Sequence, residues 1–260
     1  MRGWYEWMRV GRLAITAFIL ILAASAAARE AVPPGFVYLR DIAPGIAQDM
    51  RYASYDNFTG APLSGYDAAE CIVRRDLAAA LARVEADLAP SGIGLKVYDC
   101  YRPTRAVAAM ARWAQESPAN GAADEPTRRF YPTLQKRDLF AGYIAAHSAH
   151  STGTAVDLTL IRLPAQPPAP FDRAAHYAPC TAPAAARAPD NSIDMGTGFD
   201  CFDLKAHTAD GSISPAQKHW RGVLVAAMRR QGFHNYFREW WHFSYGAKPQ
   251  RAYNFPIERR

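Results

Sequence analysis

Three apolar stripes of helical period lie among short alternating stretches, and no regular strand–helix–strand rhythm links them. This mixture limits what the chain can fold into more than any other feature. Leu77, Leu81, Val84 and Leu88 fall at i, i+4, i+7 and i+11, one face of a helix. That stripe stops before Pro90 and Gly92. A second follows Pro103-Thr104, with Val107, Met110 and Trp113 turned inward. A third opens on Ser214-Pro215-Ala216-Gln217, a capping box with proline at the first helical position. Trp220, Leu224, Ala227 and Met228 line its buried side, and Gly232 stops it. Alternation predicts strands over residues 95–99, 155–160 and 241–245. The fold class expected is α+β. Half of the 260 residues are hydrophobic and 21% are charged, which excludes an intrinsically disordered chain.

The N-terminus has the pattern of an export signal. Residues 1–12 are basic, 13–22 are apolar, and 23–28 are small and include Ala26-Ala27-Ala28. The apolar run is shorter than the roughly 20 residues of a membrane span. Cleavage is expected near Ala28–Arg29, leaving a mature domain of residues 29–260 in a bacterial periplasm; an uncleaved anchor is the alternative. The signal also carries part of the +6 net charge, since Arg2, Arg9 and Arg12 oppose only Glu6. No Lys/Arg cluster is interleaved with aromatics, so a nucleic-acid partner is not supported. Cys71, Cys100, Cys180 and Cys201 contain no C-x-x-C spacing, which argues against a zinc ribbon or a thioredoxin-like motif. They allow three pairings. Cys71–Cys100 and Cys180–Cys201 are favoured, with four free thiols the less fitting alternative in an oxidising compartment. Residues 161–192 are rich in Pro and Ala without period, and are expected to form a loop covering one side of a site.

Chemistry concentrates at three places. In Ser148-Ala149-His150-Ser151-Thr152-Gly153-Thr154-Ala155-Val156-Asp157, a turn at Gly153 can fold His150 and Asp157 toward one point. Both residue types suit Zn²⁺, although a histidine bonded to backbone and a strand-end carboxylate are the plainer readings. In Glu239-Trp240-Trp241-His242, His242 can complete a His, Asp, His set with a fourth position open to water. Zinc brings the pKa of such a water toward about 7, and Glu239 is the nearby base. Glu239 and His242 reach one face only if Glu239 precedes the regular strand or a bulge intervenes. Core packing is the plainer reading of Trp240 and Trp241, and it is expected of at least one of them. In Asp99-Cys100-Tyr101-Arg102-Pro103, Arg102 either steadies an oxyanion or forms a salt bridge with Asp99, two readings of equal weight. His147 is placed where it can orient a ligand. Tyr52, Phe58 and Tyr66 are either pocket wall or core.

Taken together, Ser-x-His-x-x-Gly-x-x-x-Asp, then Glu-x-x-His, preceded by Tyr-Arg-Pro, resembles the zinc D-alanyl-D-alanine peptidases, whose superfamily includes D,D-carboxypeptidases and the Hedgehog signalling-domain fold. Asp49-Met50-Arg51-Tyr52-Ala53, Asp56-Asn57-Phe58-Thr59-Gly60 and Asp194-Met195-Gly196-Thr197-Gly198-Phe199-Asp200 look like its D-Ala-D-Ala dipeptidase branch. The resemblance covers residues 37–247 or so. It implies a single domain with a small antiparallel sheet flanked by helices, and one Zn²⁺ held by His150, Asp157 and His242. It implies that Glu239 is the catalytic base, that Arg102 steadies the transition state, and that Ser148 and Asp194 line the pocket for the amino end of D-Ala-D-Ala. The implied reaction is hydrolysis of that dipeptide by zinc-activated water, in wall turnover or glycopeptide resistance. The Pro/Ala-rich stretch, Cys180 and Cys201 depart from compact cytoplasmic members. A D,D-carboxypeptidase acting on peptidoglycan stem peptides and a non-catalytic zinc-containing wall-binding module are the rival readings; Glu239 and Arg102 argue against the latter.

Overall fold

The computed structural model describes residues 32–116, 125–246 and 251–260; the expected signal segment, 1–28, lies outside them. The elements run β1 (Phe36–Tyr38), α1 (Leu39–Ile42), β2 (Ala47–Gln48), β3 (Ile72–Arg74), α2 (Arg75–Leu88), β4 (Ile93–Asp99), α3 (Thr104–Gln115), α4 (Glu125–Phe130), β5 (Ala155–Arg162), α5 (Pro215–Arg230), β6 (Phe233–Asn235) and β7 (His242–Tyr245). All three stripes become helices. In α2, Leu77, Leu81 and Val84 are fully buried, and Gly92 turns the chain out in the left-handed conformation. In α5, Ser214 and Gln217 form the expected capping box. Trp113 and Trp220, expected inside, are only partly buried, because Ala114 and Arg221 take the innermost places.

A five-stranded sheet has the order β2-β4-β5-β7-β6, and β1 pairs with β3 in a separate ribbon. The α+β class is borne out. The sheet is antiparallel from β4 to β6, but β2 runs parallel to β4. The chain reaches β4 from β2 through β3 and α2, and such a crossover is what a parallel neighbour requires. β4 is buried along its whole length and β5 along all but its last residue, as expected of central strands. Trp240 and Trp241 are both core, at 1% and 0% exposure. A second, aromatic cluster gathers Phe36, Tyr52, Phe58, Tyr101, Phe202 and Phe255. Among the described residues no helix is long and apolar enough to cross a membrane.

The disulfides are Cys71–Cys100, which ties the start of β3 to the end of β4, and Cys180–Cys201. The Pro/Ala-rich stretch does not cover the site described below. None of its residues lines the cavity there; Ala178, Ala184, Arg187 and Asp190 instead line a separate small one with Arg51 and Tyr98. The cause is Lys96, 2% exposed on β4, whose Nζ donates to Asp190 Oδ1 and Asn191 Oδ1 at 2.7 Å each. Asp190 also accepts from Arg51 and from the Tyr98 hydroxyl, so the loop end is pinned to buried cations.

Candidate active site

Gly153 brings the first two functional side chains together. Its φ of +76° is in the left-handed region, and a Cβ there would lie 2.2 Å from the Phe36 ring, so only glycine fits. The turn Ala149–Thr152 thus reverses into β5, with His150 on one side and Asp157 on the other. On the neighbouring strand, Asp157 is in register with His242, the first residue of β7. Glu239 precedes that strand in a turn, which is the condition for it to share a face with His242.

Three donor atoms converge. His150 Nε2 lies 3.1 Å from His242 Nδ1 and 3.3 Å from Asp157 Oδ1, and His242 Nδ1 lies 2.9 Å from Asp157 Oδ1. His150 Nδ1 donates to the Cys100 carbonyl at 2.7 Å; a carbonyl only accepts, so the proton sits on Nδ1 and Nε2 offers a lone pair. His150 and Asp157 are 2% exposed. Two nitrogens and a carboxylate oxygen facing one point are a set that could hold a metal ion. Tetrahedral zinc with bonds of about 2.0–2.1 Å separates its ligands by about 3.3 Å, so the donor set fits that ion. Burial raises the Asp157 carboxyl, but the two imidazoles more than offset this and hold it well below the usual carboxylate range.

These atoms form part of the wall of a cavity of about 230 Å³, to which Glu239, Arg102 and Ser148 also contribute. Glu239 Oε2 is 3.9 Å from His242 Nδ1. Burial pushes the Glu239 carboxyl up to about 8; the Asp157 charge adds to the rise, and Arg102 and His150 oppose it. Arg102 forms the salt bridge with Asp99 that one of its two sequence readings expected, and it also lines the cavity. Its Nε and Nη2 grip Asp99 Oδ2 at 2.9 and 2.8 Å, its guanidinium lies 4.9 Å from the Tyr52 ring centre, and Nη2 is 3.6 Å from Asp157. Asp99 is fully buried and takes a further bond from the Tyr66 hydroxyl at 2.6 Å. Tyr52 and Phe58 wall the cavity, whereas Tyr66 is core.

Asp194 is not brought to this cavity. Its carboxylate caps the following turn through Gly196 N–H at 3.0 Å and binds Arg187 at 2.6 Å and Gln217 at 2.8 Å. Asp200, the other acid of the same motif, lines the cavity instead and accepts from the Tyr52 hydroxyl at 2.7 Å. Burial, then the nearby Asp157 charge, pushes its carboxyl well above the usual range. A signal for Asp200 was present: it stands between Phe199 and Cys201, and an acid flanked by core residues is held for a reason. His147 is exposed at the cavity rim and orients no ligand; the Cys100 carbonyl does that work, and a backbone atom leaves no mark in a sequence.

The family model described as D-ala-D-ala dipeptidase matches residues 33–186 and 186–258. The chain belongs to that family. Within it, the chain is similar to the D-alanyl-D-alanine dipeptidase of Enterococcus faecium, 33% identical over 227 residues, covering 86% of this chain and 98% of the relative. The Streptomyces coelicolor D-alanyl-D-alanine dipeptidase is 34% identical over 225 residues, 85% of this chain and 98% of that one. The Escherichia coli D-alanyl-D-alanine dipeptidase is 31% identical over 221 residues, 85% and 88%. In this D-ala-D-ala dipeptidase family chain, the family model spans every residue of the converging set.

Proposed function

We propose that the chain is a zinc-dependent dipeptidase that hydrolyses D-Ala-D-Ala. The observation that carries this reading is the convergence of three metal-competent atoms, a base and a guanidinium on one cavity of dipeptide scale. His150, Asp157 and His242 would hold the ion. Bound zinc supplies Lewis acidity, polarising a carbonyl and making water acidic enough to ionise near neutral pH. Glu239 takes the proton of the attacking water. It then hands that proton to the leaving amine. Arg102, fixed by Asp99 and stacked on Tyr52, offers donors to the oxyanion without having to move. Asp200 and Ser148 meet the substrate's ammonium group. A carboxyl whose pKa burial raises becomes ionised most readily beside a cation, which makes an amino terminus its complement.

The test is hydrolysis by zinc-loaded protein of D-Ala-D-Ala against its N-acetyl form. Cleavage of the free dipeptide with little cleavage of the acylated one is expected. Preference for the acylated substrate would replace the reading with a carboxypeptidase, and cleavage of neither would leave a binding module. We further propose export to the periplasm with cleavage near residue 28, and a role in recycling wall-derived D-Ala-D-Ala. Two disulfides support an oxidising compartment. Intact mass of the protein purified from a periplasmic extract tests the cleavage. Unchanged growth of a deletion strain on extracellular D-Ala-D-Ala would overturn the recycling role.

A further inference from the structure

The Cys180–Cys201 disulfide takes no part in the chemistry above, yet Cys201 stands between two cavity residues, Asp200 and Phe202. Asp200 has a φ of +55°, in the left-handed region that few side chains other than Asn and Asp tolerate. The Tyr52 hydroxyl holds the carboxylate itself, and both flanks of this turn are held as well. On one flank, Gly198 N–H donates to the Cys180 carbonyl at 2.9 Å. On the other, Phe202 N–H donates to the Phe130 carbonyl at 2.8 Å. Cys180 N–H in turn donates to the Arg129 carbonyl at 2.7 Å, so the end of α4, the Pro/Ala-rich loop and residues 198–202 make one laced unit. The disulfide is the covalent tie in that lacing, and it joins the loop to the residue next to Asp200.

We propose that the Cys180–Cys201 crosslink is a positioning device. It holds the Asp200 carboxylate at the cavity wall for the substrate's amino end, so that tight substrate binding requires an oxidising compartment. This rests on the dipeptidase reading and on Asp200 as the ammonium partner. In a reducing compartment the same cysteines are thiols, the left-handed turn at Asp200 keeps only its hydrogen bonds, and the carboxylate samples other directions. Zinc binding is untouched, because none of His150, Asp157 and His242 lies on the laced unit. The loop that the sequence marked as a departure thus acts on the site through the segment carrying Asp200 rather than by covering it.

The experiment compares wild type with Cys180→Ser/Cys201→Ser, leaving Cys71–Cys100 in place, and with the volume-preserving pair Cys180→Ala/Cys201→Val in case the serines impair folding. Expected are a KM for D-Ala-D-Ala raised roughly tenfold, kcat changed less than about threefold, and unaltered zinc content. Hydrogen exchange at the Phe202 amide should speed up by about tenfold or more, with the β4 and β5 amides unchanged. In an Asp200→Asn background, loss of the crosslink should leave KM where it is, since both changes act through one contact. An equal rise in KM in both backgrounds, or unchanged KM with unchanged Phe202 exchange, overturns the proposal. If wild type cleaves no D-Ala-D-Ala, the dipeptidase reading fails, while Phe202 exchange still decides whether the crosslink holds the Asp200 segment.

Discussion

Glu239 and His150 separate two duties that lie a few ångströms apart. Glu239 contributes no atom to the converging set, so Glu239→Ala should keep its zinc and lose turnover by about 10²–10⁴-fold. Metal analysis beside a dipeptide assay checks both halves. His150→Ala removes one of three donors, and its zinc content after dialysis should fall far below one per chain. In the sequence these residues stood out through the resemblance of their combined motifs, because the spacing of His150 and Asp157, or of Glu239 and His242, is unspecific when taken alone. Asp194 and Asp200 were less legible. They belong to one seven-residue motif, and which of them faces the cavity depends on a left-handed backbone at Asp200 and on partners outside the motif, Arg187 and Gln217.

At the scale of elements, period reads well and brevity reads badly. α2, α3 and α5 each repeat their apolar stripe over several turns, and each was legible. β1, β2, β3 and β6 have only two or three residues, too few to show alternation, and only pairing defines them. The parallel course of β2 is therefore a tertiary fact. The start of α5 offers a clean measurement. Ser214 Oγ accepts from Gln217 N–H while the Gln217 side chain accepts from Ser214 N–H. Ser214→Ala should lower stability by about 1 kcal/mol, read as a shift in urea midpoint at unchanged slope. Leu81, fully buried on α2, sets a contrast: Leu81→Ala should cost about 2–5 kcal/mol in the same assay.

For the whole molecule, the least legible feature was where residues 161–192 lie, because a buried lysine decides it. Burial raises the Asp190 carboxyl, but Arg51 and then Lys96 overcome this and hold it well below the usual range. A carboxylate favoured by the fold adds stability above its unfolded pKa of about 3.9 and loses it as pH falls toward the depressed value. Asp190→Asn should thus be about 2 kcal/mol less stable at pH 7, with the gap to wild type closing as pH falls below about 4. Urea titrations across that range check the sign. The five-stranded sheet has one more consequence. Its long central strands, β4 and β5, are enclosed, and its borders are β2, two residues long, and β6, three. A stranger chain finds few free backbone groups along such borders, so the sheet is a poor template for fibre growth even where many copies are crowded together.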